Sequence, residues 1–482
     1  TLPESEVFEI VDTWLSTGFA GGRHGRRVAK IANLETASAL SLLMESVYLR
    51  LEAKGIPARL WNKTLPHLDS EAQKGWLSWL DFPEVLSEKQ AEITAFAGEV
   101  RKAGFRRAVL LGMGSSVVPA EVLARILDPS AGWLNVFVLD CTDPKALAEV
   151  EDSIDRDRTL FLVVSSSGTT PEVCAFEQYF WSKMMQHTNG DVHRAGQHFV
   201  AITDEGSVLD QRAASKQYRR VFRSSPNISS RFCALGYHGL VPAALMGIDI
   251  GRLLARARTM AAACRENSLA QNPGVTLGSL MGGLAGIGRD KLTLFFSPEL
   301  APMGIWIEQL VAGATGKGGR GIVPVDGEAT SGPGSYRADR LFVVVKLRMG
   351  GPAAPPELLE AIITAGHPIH EIEIGYKHDI GAEFFRWQFA ATIAASLLDV
   401  NPADEPEMIA MRQIAARLLD DYRQSSTLPI APSIAPNDPF LLQQLASTKP
   451  CDYLAICSFF RPTSERDILQ DSIRTLCRDR LR

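Results

Sequence analysis

The chain has 482 residues, of which 46% are hydrophobic and 22% are charged, and a net charge of −5 at pH 7. This length predicts about two or three domains, the negative balance argues against a general nucleic-acid binder, and no apolar run approaches the ~20 residues of a membrane-spanning helix. Seven scattered cysteines without a CxxC pair argue against a disulfide framework or a zinc site, and together with the lack of a secretion signal they favour the cytoplasm.

Residues 1–100 are predicted to form a helical N-terminal segment. Apolar residues recur at helical spacing from Glu35 to Lys54. Gly55 and Pro57 follow, which is the usual signal for the end of a helix.

Short apolar runs alternate with helical patterns across residues 101–250. The predicted strands are Ala108–Leu111, Val136–Leu139, Leu160–Val164, Phe199–Ile202 and Val221–Phe222. Strands that alternate with helices indicate an α/β domain with a doubly wound parallel sheet. Ligands of such sheets bind beyond the carboxyl ends of the strands. Several of these strands end in Gly, Ser, Thr or Asp, which favours a polar ligand there.

A second α/β domain is predicted over residues 251–425, and a C-terminal α/β extension over residues 426–482. The predicted strands are Leu292–Phe296, Leu341–Val345 and Ile369–Ile374, and the predicted helices are Trp306–Ala312, Phe384–Leu398 and Pro406–Leu419. In the extension we expect a short strand, Tyr453–Cys457, and a terminal helix from Ser464.

The most informative stretch follows the third predicted strand. An apolar run ends at Val164, six small residues from Ser165 to Thr170 follow, and Pro171 with Glu172 opens a helix. Such a loop offers backbone N–H groups, hydroxyl groups and a helix N-terminus, all of which suit a phosphate. A Ser/Thr-rich turn with an N-cap is the alternative on composition alone.

Two glycine-rich motifs do not support a nucleotide cofactor. The run Gly112–Ser116 lacks the third glycine of a dinucleotide fingerprint, and Asp140 is the only acid near the required distance. Around Lys317 the glycines are misplaced for a nucleotide P-loop. The histidines show no ligand spacing, so we expect neither a metal nor a cofactor. His238 is the one histidine near other candidate site residues.

The order of several motifs resembles the phosphoglucose isomerase family, and most of all the isomerase half of bacterial transaldolase/phosphoglucose isomerase fusions. From about Trp61 onward these motifs read GMGSSVVPAEV, LDCTDP, SSSGTTPE, AITDEGS, SSRFCALGYHGLVPAALMG, EQLVAGATGKGGRGI, EFFRWQFAATIAA and NPADEPEMIAMR. The resemblance implies tandem sugar-isomerase (SIS) domains. It also implies isomerisation of glucose 6-phosphate and fructose 6-phosphate without metal or nucleotide.

The resemblance further implies roles for individual residues. The phosphate-binding positions are Ser116, Ser165, Ser167, Thr169 and Thr170. Arg231 matches the arginine that faces the enediolate. Arg412 aligns with a lysine near the sugar ring oxygen.

The catalytic positions depart from the family pattern. Gly313 stands where the family has its glutamate base, and Ser166 where its phosphate loop has a lysine. No histidine for ring opening occurs near Pro333–Arg337. Loss of a general base typically removes about 10²–10⁴ in rate. Asp326 or Glu328 would have to swing in as a substitute, whereas Gly313→Glu should find room in the old pocket.

Two functional hypotheses follow. The first is a catalytically impaired sugar-phosphate-binding protein with a structural or partner-subunit role. The second is an active isomerase with a relocated base. A SIS-domain transcription regulator is disfavoured because no basic helix-turn-helix is evident. By resemblance we expect a homodimer or a transaldolase-like partner, and neither nucleic acid nor membrane. Because the chain begins at Thr1, it is either processed or a fragment of a longer fusion.

Overall fold

A helical segment precedes the sheets, as predicted. The computed structural model describes residues 3, 22–66, 68, 75–428, 433–435, 437–449, 452–458 and 463–480, with side chains of the first helix described from residue 38. Helix α1 spans Gly22–Ala53 and α2 spans Ile56–Trp61. Between them Gly55 has φ 60, a left-handed conformation that glycine adopts readily. The rest of the predicted segment before residue 22 lies outside the described residues, apart from residue 3.

The first sheet is parallel throughout, with strand order β2-β1-β3-β4-β5. Its strands are β1 Arg107–Leu111, β2 Asn135–Leu139, β3 Thr159–Val164, β4 Phe199–Asp204 and β5 Arg220–Ser224. The helices around it are α3 Phe82–Lys102, α4 Val118–Leu127, α5 Pro144–Ser153, α6 Pro171–His187, α7 Val192–Gly196, α8 Val208–Ser215 and α9 Tyr237–Leu245. Every residue of β3 is buried, because this strand lies between β1 and β4 and helices cover both faces of the sheet.

The second sheet is also parallel, with order β7-β6-β8-β9. Its strands are β6 Lys291–Phe296, β7 Val323–Val325, β8 Arg340–Leu347 and β9 Ile369–Ile374. Its helices are α10 Ile250–Ala263, α11 Pro273–Ala285, α12 Met303–Thr315, α13 Pro356–Thr364 and α14 Ile380–Leu397. The α/β prediction is thus confirmed. Sequence patterning missed β7, because a three-residue edge strand containing Pro324 has almost no pattern.

The described residues of the C-terminal part form helices and no strand, in contrast to the predicted α/β extension. Helices α15 Pro406–Ser425, α16 Pro439–Ala446 and α17 Ser464–Arg480 follow the second sheet. The predicted strand Tyr453–Cys457 is wrong, since residues 452–458 form neither strand nor helix and are mostly exposed. A strand needs a hydrogen-bonding neighbour, and this stretch has none among the described strands. The helix predicted from Ser464 is confirmed.

One hydrophobic core runs between the two sheets. It includes Leu162 of β3 and Val343 of β8, and at its centre α11 packs against α14. The two helices approach so closely that a Cβ on Gly278 would lie 2.6 Å from the backbone oxygen of Ala390. This packing brings α12 and the carboxyl ends of β1 and β3 into one region of the molecule. Among the described helices, none is both long and apolar enough to cross a membrane.

Candidate functional site

The loop between β3 and α6 is shaped by one close contact. Gly168 has φ +69, and a Cβ at this position would lie 2.3 Å from the backbone nitrogen of Leu209 at the start of α8. Only glycine accommodates both the left-handed backbone and that approach. The loop therefore lies directly on the N-terminus of α8.

Hydroxyl groups of the loop satisfy part of its own backbone. Ser165 Oγ accepts a hydrogen bond from the Gly168 N–H at 3.0 Å and lies 3.4 Å from Thr170 Oγ1. Ser167 Oγ accepts from the Thr169 N–H at 3.2 Å and lies 2.8 Å from Thr169 Oγ1. The N–H groups of three other loop residues donate to no acceptor among the described residues: Ser166, Ser167 and Thr170. These free donors lie at the N-terminus of the 17-residue helix α6, where the helix dipole favours an anion.

Residues at the end of β4 hold this loop in place through hydrogen bonds to its backbone. Thr203 Oγ1 lies 2.7 Å from the backbone oxygen of Ser165 and 3.0 Å from that of Ser166. The Asp204 N–H donates to the Ser166 oxygen at 3.1 Å. Burial raises the pKa of the Asp204 carboxyl to about 6. A carboxylate next to the loop opposes a bound anion whenever it is ionised.

The loop after β1 lies beside the loop after β3. A Cβ on Gly112 would lie 3.2 Å from the backbone oxygen of Val164. Ser115 Oγ lies 2.6 Å from Ser230 Oγ, which joins this loop to the 3₁₀ turn Ser230–Phe232. Ser116 is half-buried in the same loop. The Ser115–Ser230 hydroxyl pair thus connects the two loops of the first sheet with the turn that carries Arg231.

Arg231 points from this turn to the C-terminal end of α12. Its Nη1 donates to the backbone oxygen of Gly313 at 3.1 Å, and its Nη2 lies 3.2 Å from Oε1 of Glu405. A Cβ on Gly313 would lie 2.5 Å from Cζ of Arg231. The room expected for a glutamate at position 313 is therefore not free, because the guanidinium occupies it.

Lys317 approaches the same helix end. Its Nζ donates to the backbone oxygen of Gly313 at 2.6 Å and lies 3.3 Å from that of Ala314. Burial, and then the nearby charge of Arg231, lower the pKa of the Lys317 ammonium to about 8. Both cations hydrogen-bond carbonyl groups at the end of α12, which is a stabilising position for positive charge.

The other predicted residues lie apart from this cluster. Arg412 is exposed on α15 and makes no hydrogen bond or ion pair with a described residue. Asp326 packs against Gly304 at the start of α12, and Glu328 pairs with Arg340 at 2.6 Å. His238 is fully buried in α9, where burial lowers the pKa of its imidazole to about 4. Asp326, Glu328 and His238 make no hydrogen bond or ion pair with Arg231 in the described structure.

Sequence reasoning missed Glu405, Thr203 and the contacts of Lys317. Glu405 lies just before α15, and its Oε1 accepts a hydrogen bond from Ser229 Oγ at 2.8 Å, across 176 positions of the chain. The only sequence signal was its place in the motif NPADEPEMIAMR. Nothing local indicates that this acid meets an arginine.

The chain is similar in sequence to known glucose-6-phosphate isomerases. The model of the family described as phosphoglucose isomerase matches residues 88–319. A glucose-6-phosphate isomerase of Synechococcus is 27% identical over 365 residues, covering 66% of this chain and 67% of the relative. One of Citrifermentans bemidjiense is 28% identical, covering 70% of this chain and 69% of the relative. For the enzyme of Thermosynechococcus vestitus the identity is 33%, covering 56% of this chain and 51% of the relative. The chain thus aligns with about half to two thirds of these relatives.

Solved structures show the same fold. A hypothetical protein of Thermus thermophilus superposes with a TM-score of 0.64 at 20% identity, covering 80% of this chain and 96% of that chain. A glucose-6-phosphate isomerase of Chlamydia trachomatis superposes with a TM-score of 0.63 at 16% identity, covering 83% of this chain and 88% of that chain. The tandem architecture expected from the motifs, two parallel sheets flanked by helices, is confirmed, and residues 88–319 of the chain match the phosphoglucose isomerase family.

Proposed function

We propose that the chain binds a sugar phosphate at the β3–α6 loop and is impaired as an isomerase. One observation supports impaired catalysis: the Arg231 guanidinium lies against Gly313, where the family places its carboxylate base. A cation fixed in that position cannot accept the proton that must move between C1 and C2 of the sugar. The role is then binding, structural, or that of a partner subunit.

The ligand class is inferred from the loop and the relatives. Ser165, Ser167, Thr169 and Thr170 surround free N–H groups at a helix N-terminus, which supports a phosphate group. The relatives bear the name glucose-6-phosphate isomerase, so glucose 6-phosphate and fructose 6-phosphate are the natural candidates. Without a lysine at position 166 the affinity should be weak.

An active isomerase with a relocated base is the second candidate. Glu405 favours it, because its carboxylate is the one that contacts Arg231 in the described structure. That same carboxylate is engaged by Arg231 and Ser229, which weakens it as a base. We therefore keep impaired catalysis as the first proposal.

The protein's partner and its location in the cell are also part of the proposal. The exposed apolar side chains of α15, among them Met411, Ile414 and Leu418, support a protein partner, either a second copy or a transaldolase-like enzyme. A cytoplasmic location fits a chain with free cysteines in its described part. The domain boundaries near residues 100, 250 and 425 remain predictions.

Two measurements test the proposal. Calorimetric titration should show binding of fructose 6-phosphate but not of fructose, and Thr169→Ala should weaken it. Thr259→Ala, an exposed hydroxyl on α10, is the matched control and should leave binding unchanged. A coupled assay for glucose 6-phosphate should detect little or no turnover. Turnover above about 1 s⁻¹, the low end of ordinary enzyme rates, would contradict impaired catalysis.

A further inference from the structure

The Arg231–Glu405 ion pair is largely removed from water. The side chain of Arg231 is 13% exposed and that of Glu405 is 24% exposed, with 3.2 Å between Nη2 and Oε1. Ser229 Oγ donates to the same Oε1 at 2.8 Å and so fixes the carboxylate in place. Screening by solvent is weak at such burial, and the pair is correspondingly hard to separate.

Further charged groups act on this region. The pKa of Lys317 is lowered by burial and by the charge of Arg231, and it is raised by the carboxylates Glu405, Asp404 and Glu407. An anionic ligand would therefore meet these carboxylates as well as the two cations.

Building on the proposed sugar-phosphate function, we infer that Glu405 is a specificity-determining residue. Its carboxylate pairs with the part of the Arg231 guanidinium that would otherwise bind an anion. The site therefore accepts sugar phosphates that carry no charge at the end away from the phosphate. A guanidinium has five N–H donors, and those left over can still donate to sugar hydroxyl groups. A carboxylate at C1 would have to displace Glu405 from a buried pair, which removes the gain from the new contact.

The test compares two probes, fructose 6-phosphate and 6-phosphogluconate, which differ in the charge at the end away from the phosphate. In the parent protein we expect 6-phosphogluconate to bind at least about tenfold more weakly than fructose 6-phosphate, because its carboxylate meets the fixed carboxylate of Glu405. Glu405→Gln keeps the shape and an acceptor for Ser229 but removes the charge. It should tighten 6-phosphogluconate by at least about tenfold, the effect of one 1.4 kcal/mol interaction, and fructose 6-phosphate by less than about threefold.

Two control variants distinguish the effect of the Arg231–Glu405 ion pair from the effect of net charge in the region. Glu407→Gln removes a nearby exposed carboxylate that makes no ion pair with Arg231 and should change either affinity by less than about threefold. Ser229→Ala loosens Glu405 without changing any charge and should shift the preference in the same direction by a smaller factor. It also serves as the second variant if Glu405→Gln folds poorly.

Each result bears on the inference. Equal affinity of the parent for the two probes, or a preference for 6-phosphogluconate, if unchanged in Glu405→Gln, would overturn it and leave the proposed function standing. An equal gain in Glu407→Gln would also overturn it, because the effect would then come from net charge alone. Absence of binding for both probes in every variant would overturn the proposed function and this inference with it.

Discussion

The guanidinium of Arg231 fills the space beside Gly313 in which a side chain would begin. Its Cζ, Nε and Nη1 lie 2.5 to 2.6 Å from the position of a Cβ on Gly313. The glycine therefore has a structural consequence of its own. It is the residue that allows the arginine to cap α12 and pair with Glu405.

A double-mutant cycle tests this relationship through stability. Gly313→Ala should destabilise the parent, because the methyl group forces the Arg231 guanidinium away from the Gly313 oxygen and Glu405. Loss of a hydrogen bond to a charged group costs about 1.5–3 kcal/mol, which exceeds the 0.5–1 kcal/mol or so that alanine gains over glycine in a helix. In an Arg231→Ala background the same change should be neutral or stabilising. Urea unfolding of the four proteins should give a coupling energy of about 1 kcal/mol or more. Additive effects would mean that Arg231 does not occupy this space.

The β3–α6 loop should tolerate no side chain at Gly168. Gly168→Ala places a Cβ 2.3 Å from the Leu209 nitrogen at a positive φ, so the loop must move away from α8. Gly190→Ala is the matched control, with φ +82 but nothing within 4 Å of the Cβ, and should cost only the roughly 1–2 kcal/mol of left-handed backbone. Gly168→Ala should lose more stability in urea unfolding and should lose binding of fructose 6-phosphate. Equal losses in the two variants would contradict the close contact.

Asp204 should make stability depend on pH in a defined window. Its folded pKa, about 6, lies above its ordinary value of 3.8, so the folded state holds the proton more tightly. Stability from this group is present below pH 4 and is lost as pH rises towards 6. Asp204→Asn should therefore be more stable than the parent at pH 7.5 and lose this advantage near pH 4. It should also bind fructose 6-phosphate more tightly at pH 7.5, since a charge beside the loop is gone. A pH-independent difference in unfolding free energy would contradict this reading.

A buried ion network on the outer face of the first sheet should matter for folding. Glu177 is 1% exposed, and its carboxylate lies 2.6 Å from Arg212, 2.9 Å from Lys216 and 2.7 Å from the Tyr218 hydroxyl. Glu177→Ala should cost about 3–5 kcal/mol because the cations lose their buried partner.

The exposed pair of Arg348 and Glu373 provides the control for that network. Their side chains are 64% and 57% exposed, so Glu373→Ala should change the unfolding free energy by at most about 1 kcal/mol. Similar costs for the two substitutions would show that the Glu177 network is no stronger than a surface pair.

The sequence alone was enough to predict most strands of the two sheets and to locate the hydroxyl-rich loop after β3. The strand Thr159–Val164 lies buried between two neighbours, so it reads as an apolar run, and the hydroxyl-rich turn and Pro171 follow it directly. These signals are local, which is why they could be read without a structure. The same locality explains the failures: β7 is too short to show a pattern, and the apolar stretch Tyr453–Cys457 resembled a strand although no other strand pairs with it in the described fold.

Only the tertiary structure decided what surrounds Gly313. The sequence shows a glycine at position 313, where the resemblance implies a glutamate, but Arg231 lies 82 positions away, and Glu405 lies 176 positions from the Ser229 to which it is hydrogen-bonded. Side chains so distant in the chain meet because α12, the Ser230–Phe232 turn and the start of α15 pack around one core. Such contacts leave no periodic or spacing signal in the sequence. The residues that flank Arg231 or Glu405 in the chain carry no information about which distant side chain it contacts.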